Sequence, residues 1–236
     1  MAVVSPEAAR RMSTPYRDAR IARLDPAARE QTILSLEHDA VLEARHVRPG
    51  QFCQLRLGEA TGDGHFVLID PPGSGPLRFL LRAGGPVADA LRAVEAGSHL
   101  SMRGPTGNGF PIEQANGRDV LLVSAGSGLA AIRPVLLSLH SFGARRVWLY
   151  HGARTLEHVP FLDDLQRAER DGLRLTLTLS QEGNRLGDRV QNAIVRDAPD
   201  LSHAVAFVSG MQALIDALRV DLPRLGLPAD AIHLNY

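Results

Sequence analysis

The sequence has no lysine. All 26 of its basic residues are arginine, and they are set against 26 acidic residues for a formal net charge of zero. The missing lysine reads as a coding-composition bias. A balanced chain exerts no bulk attraction on a polyanion, so nucleic acid is not the expected partner. Cysteine is almost as scarce. Cys53 stands alone, which excludes a disulfide framework and a cysteine-ligated zinc or iron–sulfur site within these residues. It falls in a predicted strand and reads as a small core residue. No run is long and apolar enough to span a bilayer. The Ala-rich polar start, through about Thr14, lacks the apolar centre of a signal segment, so a cytoplasmic protein is expected. Histidine is plentiful but scattered: His38, His46, His99, His140, His158 and His203 show no ligand-like spacing, and no metal is expected.

Two textures follow one another along the chain. Residues 1–15 read as an N-terminal tail. Residues 16–113 read as short strands with period-two alternation, as in Arg20–Leu24, Gln31–Leu36 and Phe52–Leu57, followed by the apolar runs Phe66–Ile69 and Leu77–Leu81. One short helical pattern spans Val87–Val94. His99–Met102 leads into a Gly/Pro-rich turn, Arg103-Gly104-Pro105-Thr106-Gly107-Asn108-Gly109-Phe110. This pattern predicts a small Greek-key antiparallel β-barrel. From residue 118 to 236, strands alternate with helices: strand 120–124, helix 129–140, strand 146–150, helix 160–169, strand 173–179, helix 188–195, strand 204–209 and helix 212–222. That order predicts an α/β doubly wound parallel sheet with ligands at the carboxyl ends of its strands. The polar segment 112–118 is the expected boundary.

The second unit carries the clearest chemistry. Gly126-Ser127-Gly128 follows an apolar strand and opens a helix. Glycines let a backbone pass close to a pyrophosphate, and a helix N-terminus offers free N–H groups and the positive end of its dipole. The loop is therefore a nucleotide-site candidate, although tight strand–helix turns also use paired glycines. Arg154 ends the next strand, placed to reach a phosphate or ribose. Ser180-Gln181 ends the third, where an adenosine ribose would lie. Gln181 brings no cation for a 2′-phosphate, although Arg185 is near, so NADH is preferred over NADPH. Ser209-Gly210-Met211 ends the fourth strand beside the switch point, where Ser209 also suits a helix N-cap. Ser127 superficially resembles a hydrolase nucleophile, but Ala125 breaks the Gly-x-Ser-x-Gly frame. Asp163-Asp164, on an amphipathic helix, reads as a solvated face.

The order of these phrases resembles the ferredoxin–NADP reductase superfamily over nearly the whole chain from Tyr16. In texture it is closest to small bacterial flavin reductases and to the electron-transfer subunits of dihydroorotate dehydrogenase and cytoplasmic hydrogenases. The phrases are Arg48-Pro49-Gly50-Gln51-Phe52, the Gly-Pro-Thr-Gly-Asn-Gly-Phe turn, Gly126-Ser127-Gly128-Leu129-Ala130, His151-Gly152-Ala153-Arg154-Thr155 and Phe207-Val208-Ser209-Gly210. The resemblance implies a flavin-dependent NAD(P)H oxidoreductase that hands electrons to a partner protein or small acceptor. It implies FAD, with FMN the alternative, together with NADH or NADPH. It places His65, Phe66, Val67, Leu68, Arg82, Gly84, Gly85, Pro86 and Val87 at the flavin. Gly126, Ser127, Gly128, Arg154, Ser180, Gly210 and Met211 fall at the nucleotide, and Ser209 and Tyr236 beside the reacting rings.

The chain departs from this pattern where the flavin phosphate is gripped. Gly64 stands in the place of an arginine, Phe66 of a tyrosine, Val67 of a serine and Ala88 of a hydroxyl residue. Ala125 and Ala131 replace a customary glycine and proline. Each lost charge-assisted bond to phosphate costs on the order of 1.5–3 kcal/mol. These departures motivate a second expectation: a reductase-like subunit that keeps the fold but serves as an assembly or nucleotide-sensing module.

Overall fold

The computed structural model describes residues 15–59, 61–182 and 188–235. Most of the expected N-terminal tail, Arg185 and Tyr236 lie outside these residues. The first unit is built from β1 (Arg17–Ala28), β2 (Gln31–Leu36), a single helical turn α1 (Ala40–Glu43), β3 (Phe52–Arg56), β4 (Gly64–Val67), β5 (Arg78–Arg82), α2 (Pro86–Arg92) and β6 (His99–Thr106). The strands run in the order β4-β3-β6-β1-β2-β5. Every pairing is antiparallel. Just past β4, Leu68 bridges Phe79 of β5 and closes the sheet into a barrel. Period-two alternation decides what fills it: Cys53 and Leu55 point inward from β3, while Gln54 and Arg56 do not. Ile21, Leu34, Phe79, Leu81, Leu91 and Met102 complete the barrel core. Burial pushes the Cys53 thiol well above its ordinary pKa, so it stays protonated and inert.

The second unit comprises β7 (Asp119–Ala125), α3 (Leu129–Ser138), β8 (Val147–Ala153), α4 (Leu162–Arg170), β9 (Arg174–Leu179), α5 (Val190–Asp197), β10 (Ala204–Ser209), α6 (Gln212–Arg224) and β11 (Ile232–Leu234). Its strands are parallel in the order β11-β10-β7-β8-β9. β7 is buried along nearly its whole length because helices cover both faces of the sheet. Leu121 and Val123 pack with Ile194 and Leu218 on one face. Val120 and Leu122 pack with Ile132 and Leu165 on the other. The sheet therefore grows outward from β7 in both directions, and its switch point lies between β7 and β10. The fold class expected from the alternation of elements is the one observed.

The two units meet along a continuous contact. Ile69, Leu80 and Ala130 form a small apolar cluster with Phe161 packed beside it, and Val67 leans on the core of the second unit. A charged knot lies next to this cluster. The Arg133 guanidinium donates to the Ile69 carbonyl at 2.7 Å, to Asp70 at 2.7 Å and to Asp164 at 2.7 Å. Arg78 grips the same Asp70 at 2.6 and 2.5 Å. This corrects the expectation of a solvated Asp163-Asp164 pair. Successive helix positions point about 100° apart, so Asp163 faces solvent while Asp164 turns under α4 to the barrel side.

Candidate functional site

A cleft of about 610 Å³ opens at the carboxyl ends of β7, β8 and β9 and is walled on its far side by the barrel. Five of the residues singled out in the sequence line it: Arg82, Gly126, Arg154, Ser180 and Met211. Each arrives by a different route. Arg82 is the last residue of β5 and reaches across the domain boundary. Its Nη1 lies 3.7 Å from where a Cβ on Gly126 would be. Gly126 holds φ at +54°, a left-handed conformation that glycine adopts without penalty. Arg154 follows β8, Ser180 follows β9, and Met211, 62% exposed, stands at the mouth as the N-cap of α6.

Gly128 and Gly210 form the floor rather than the wall. A Cβ on Gly128 would lie 2.4 Å from the Ser209 carbonyl oxygen, so the glycine loop and the end of β10 touch backbone to backbone. Ser209 is half-buried beside this contact, and Ser127 is exposed. Beneath the loop, Ser124 Oγ and His151 Nδ1 are 2.9 Å apart on adjacent strands. His151 is fully buried and its Nε2 has no partner. Burial pulls its pKa from 6.5 down to about 4, and burial pulls His46 down to about 4 as well.

Two buried neutral histidines make stability fall with acid. Above about pH 6.5 both folded and unfolded chains are neutral at these sites. Below it, the unfolded chain takes up protons that the folded chain refuses until about pH 4. His151 alone then removes about 3 kcal/mol between these limits. Urea midpoints are expected to drop steadily from pH 7 to pH 4.5, and a His151→Gln variant is expected to flatten that slope. An unchanged slope in the variant would assign the acid loss elsewhere.

Apart from Arg82, the residues expected at the flavin do not line the cleft. His65 is on the exposed side of β4, tilted against Phe52 with ring centroids 5.5 Å apart and 2.9 Å from Gln54. The Phe66 ring lies over Gly64, where a Cβ would be 2.5 Å from it, with Val87 close by. Leu68 and Val87 send their side chains into the barrel core, and Val67 faces the second unit, so only their backbones are left for a ligand. Gly84 and Gly85 lead into α2, with open space where their side chains would be and Pro86 as its first residue. The Gly84 N–H is taken by the Asp89 carboxylate at 3.1 and 3.2 Å. Tyr236 lies outside the described residues. Asn235 before it donates to the Gly50 carbonyl at 3.3 Å.

The barrel's main contribution to the cleft has no signature in the sequence. Arg29, Glu30 and Gln31, the tip of the β1–β2 hairpin, line it together with His158, Asp188 and Arg189. A two-residue turn carries no signal of what will face it.

Antiparallel barrel, parallel sheet and a cleft at the switch point define a two-unit chain with its candidate site where the units face each other. Residues 122–219 match the family model of the oxidoreductase NAD-binding domain. Among curated relatives, the gamma subunit of sulfhydrogenase 2 from Pyrococcus furiosus is 28% identical over 166 residues, 68% of this chain and 57% of that protein. A probable electron-transfer subunit of dihydroorotate dehydrogenase B from Methanothermobacter thermautotrophicus is 35% identical over 124 residues, 52% of this chain and 45% of that one. Among solved structures, an Amycolatopsis cytochrome P450 reductase superposes with a TM-score of 0.80 at 23% identity, covering 94% of this chain and 70% of its own. A ferredoxin NADP+ reductase from Neisseria gonorrhoeae gives 0.76 at 14%, covering 94% and 99%. The chain thus carries the oxidoreductase NAD-binding domain over residues 122–219 and shares the fold of these reductases over 94% of its length. It spans 57%, 36% and 64% of three of the curated relatives it matches. No helix among the described residues is long and apolar enough to cross a membrane.

Proposed function

We propose that this protein is an oxidoreductase that takes electrons from NADH or NADPH and passes them through a flavin to a partner protein or small acceptor. The observation that carries this reading is the cleft at the switch point. A glycine loop opens a helix on one side, and a barrel arginine, Arg82, faces it from the other. That is the donor set a nucleotide diphosphate requires. Gly126, Gly128 and Arg82 hold the diphosphate, Arg154 reaches its phosphate on the ribose side, Ser180 receives the ribose, and Ser209, Gly210 and Met211 flank the nicotinamide end. A flavin, when bound, supplies a hydride acceptor able to release electrons singly or in pairs.

The residues present fit a flavin through its ring and less well through its phosphate. Phe66 supplies an apolar face, and the backbone of Gly84 and Gly85 is open to close approach. The Asp89 carboxylate on the Gly84 N–H, and Gly64 in place of an arginine, disfavour an anion there. Flavin is therefore expected to exchange with solvent. Asp89→Asn should tighten FMN and FAD about tenfold, the loss of one adjacent like charge. Riboflavin, which has no phosphate, should be unaffected. Equal gains for all three would show that Asp89 does not face the phosphate.

The reading is tested by anaerobic mixing of the protein with NADH and each of these flavins in excess. Reduction of the flavin at a rate proportional to protein is the expected result. Nucleotide binding with no flavin reduction would replace it with the assembly or sensing role, which the occupied Gly84 amide favours.

A further inference from the structure

The cleft holds its own counter-ion. Four arginines line it, Arg29, Arg82, Arg154 and Arg189, against two carboxylates, Glu30 and Asp188. Asp188 is tied to Arg196 on α5 at 2.8 Å, and Arg29 to Glu157 at 3.0 Å. Glu30 instead reaches from the barrel to Arg154 of the second unit. Both side chains remain about half exposed to the cleft, at 46% and 47%. Arg154 has no other charged partner among the described residues.

Glu30 is held there at a cost. Its φ is +62°, in the left-handed region that a residue with a Cβ seldom occupies. The surrounding turn overdetermines it. The Ala83 N–H donates to the Glu30 carbonyl at 2.9 Å, the Arg29 N–H to the Glu157 carbonyl at 2.7 Å, and buried Gln31 Nε2 to the His158 carbonyl at 2.7 Å. The hairpin tip is thus fixed to the Arg154–His158 segment by bonds on both sides of Glu30. The Glu30 carboxylate thus lines a cleft in which arginines outnumber carboxylates four to two.

We propose that Glu30 is a specificity-setting residue of the nucleotide cleft, an internal anion that a nucleotide phosphate must displace from Arg154. This rests on the nucleotide-binding reading above. A ligand with a phosphate near Arg154 repays the displaced ion pair with a stronger, charge-assisted contact. A neutral or cationic ligand cannot, so the pair filters for anions and keeps Arg154 from drawing in stray ones. The neighbouring bonds of Arg29 and Gln31 keep the hairpin docked when Glu30 lets go.

The test is titration of the full chain with ADP-ribose, which carries the diphosphate and the adenosine ribose without the reactive ring. Glu30→Gln is expected to tighten ADP-ribose about tenfold at low salt, with the gain shrinking as salt rises. In an Arg154→Met background the same substitution is expected to do nothing, because the pair no longer exists. Unchanged or weaker binding by Glu30→Gln alone overturns the proposal and leaves nucleotide binding intact. An equal gain in the Arg154→Met background also overturns it, since that gain would come from net charge and not from the pair. If neither the parent chain nor Glu30→Gln binds ADP-ribose, the nucleotide reading fails with it. If only Glu30→Gln binds, both are supported.

Discussion

Gly128→Ala abolishes nucleotide binding and lowers the thermal midpoint by about 6–12 °C, the effect of about 3 kcal/mol of overpacking in a domain of this size. The cause is space, not conformation. Gly128 has φ −60° and ψ −21°, which any residue adopts. Its Cβ, however, would lie 2.4 Å from the Ser209 oxygen, 2.8 Å from the Ser209 carbonyl carbon and 3.2 Å from the Gly210 nitrogen. All three are backbone atoms at the end of β10, pinned by the parallel pairing of Ser209 with Ser124. No rotamer change relieves the overlap, so the loop must part from β10 at the floor of the cleft. Gly126 is the contrasting control. Its φ of +54° strains an alanine by about 1–2 kcal/mol, but the added Cβ meets only the mobile tip of Arg82 at 3.7 Å. Thermal melts and ADP-ribose titration of the two variants separate these costs. A fully folded, nucleotide-binding Gly128→Ala protein would mean that the loop does not sit against β10.

Arg133→Met removes about 3–5 kcal/mol of stability, the cost of breaking a buried ion pair from one side. Arg133 is only 9% exposed and joins Asp70 and the Ile69 carbonyl of the first unit to Asp164 of the second. Its loss leaves Asp164 beside an apolar contact with only the longer pair to exposed Arg167 at 3.5 Å, although Asp70 keeps Arg78. Arg133→Lys should recover little, because an ammonium cannot span three acceptors in one plane as a guanidinium does. The neighbouring Asp163→Asn, on the exposed side of the same helix, should fall within about 0.5 kcal/mol of the parent. Burial pushes the Asp70 carboxyl up, but hydrogen bonds from Arg78 and Arg133 outweigh it and hold the group below its ordinary 3.8. The Asp70 contribution is thus present above that pH and is lost as pH falls below it. Chemical denaturation of the three variants at neutral pH, and of the parent into acid, measures both effects. A wild-type-like Arg133→Met would remove the knot as a source of cohesion between the units.

Local patterning made much of the architecture legible. Gln31–Leu36 and Ala204–Ser209 form strands with the predicted limits, and the unbroken apolar run of the second matches a strand covered on both faces. The helix after Gly128 begins where the loop dictates. Other boundaries moved for tertiary reasons. β6 runs on to Thr106, through the Gly/Pro phrase that reads as a turn, because Phe52 of β3 pairs with Thr106. The turn α1 escaped notice because four residues carry no helical period; Asp39 caps it by accepting from Val41 and Leu42.

The cleft divides the same way. Gly126, Gly128, Arg154, Ser180 and Gly210 were visible because strand ends in a parallel sheet converge on one edge, and the order of elements alone fixes which residues stand there. The sequence thus determined the two units, the sheet type and one wall of the cleft. Only the tertiary structure decided the other wall, where Arg82 faces the glycine loop and Glu30 holds Arg154, and two links outside the cleft, Asp89 on the Gly84 amide and Asp164 on Arg133. The physical reason is range. Periodicity and turn chemistry act over a few residues, whereas Glu30 and Arg154 are 124 positions apart. Their pairing follows from how two separately folded surfaces dock, which no local pattern encodes.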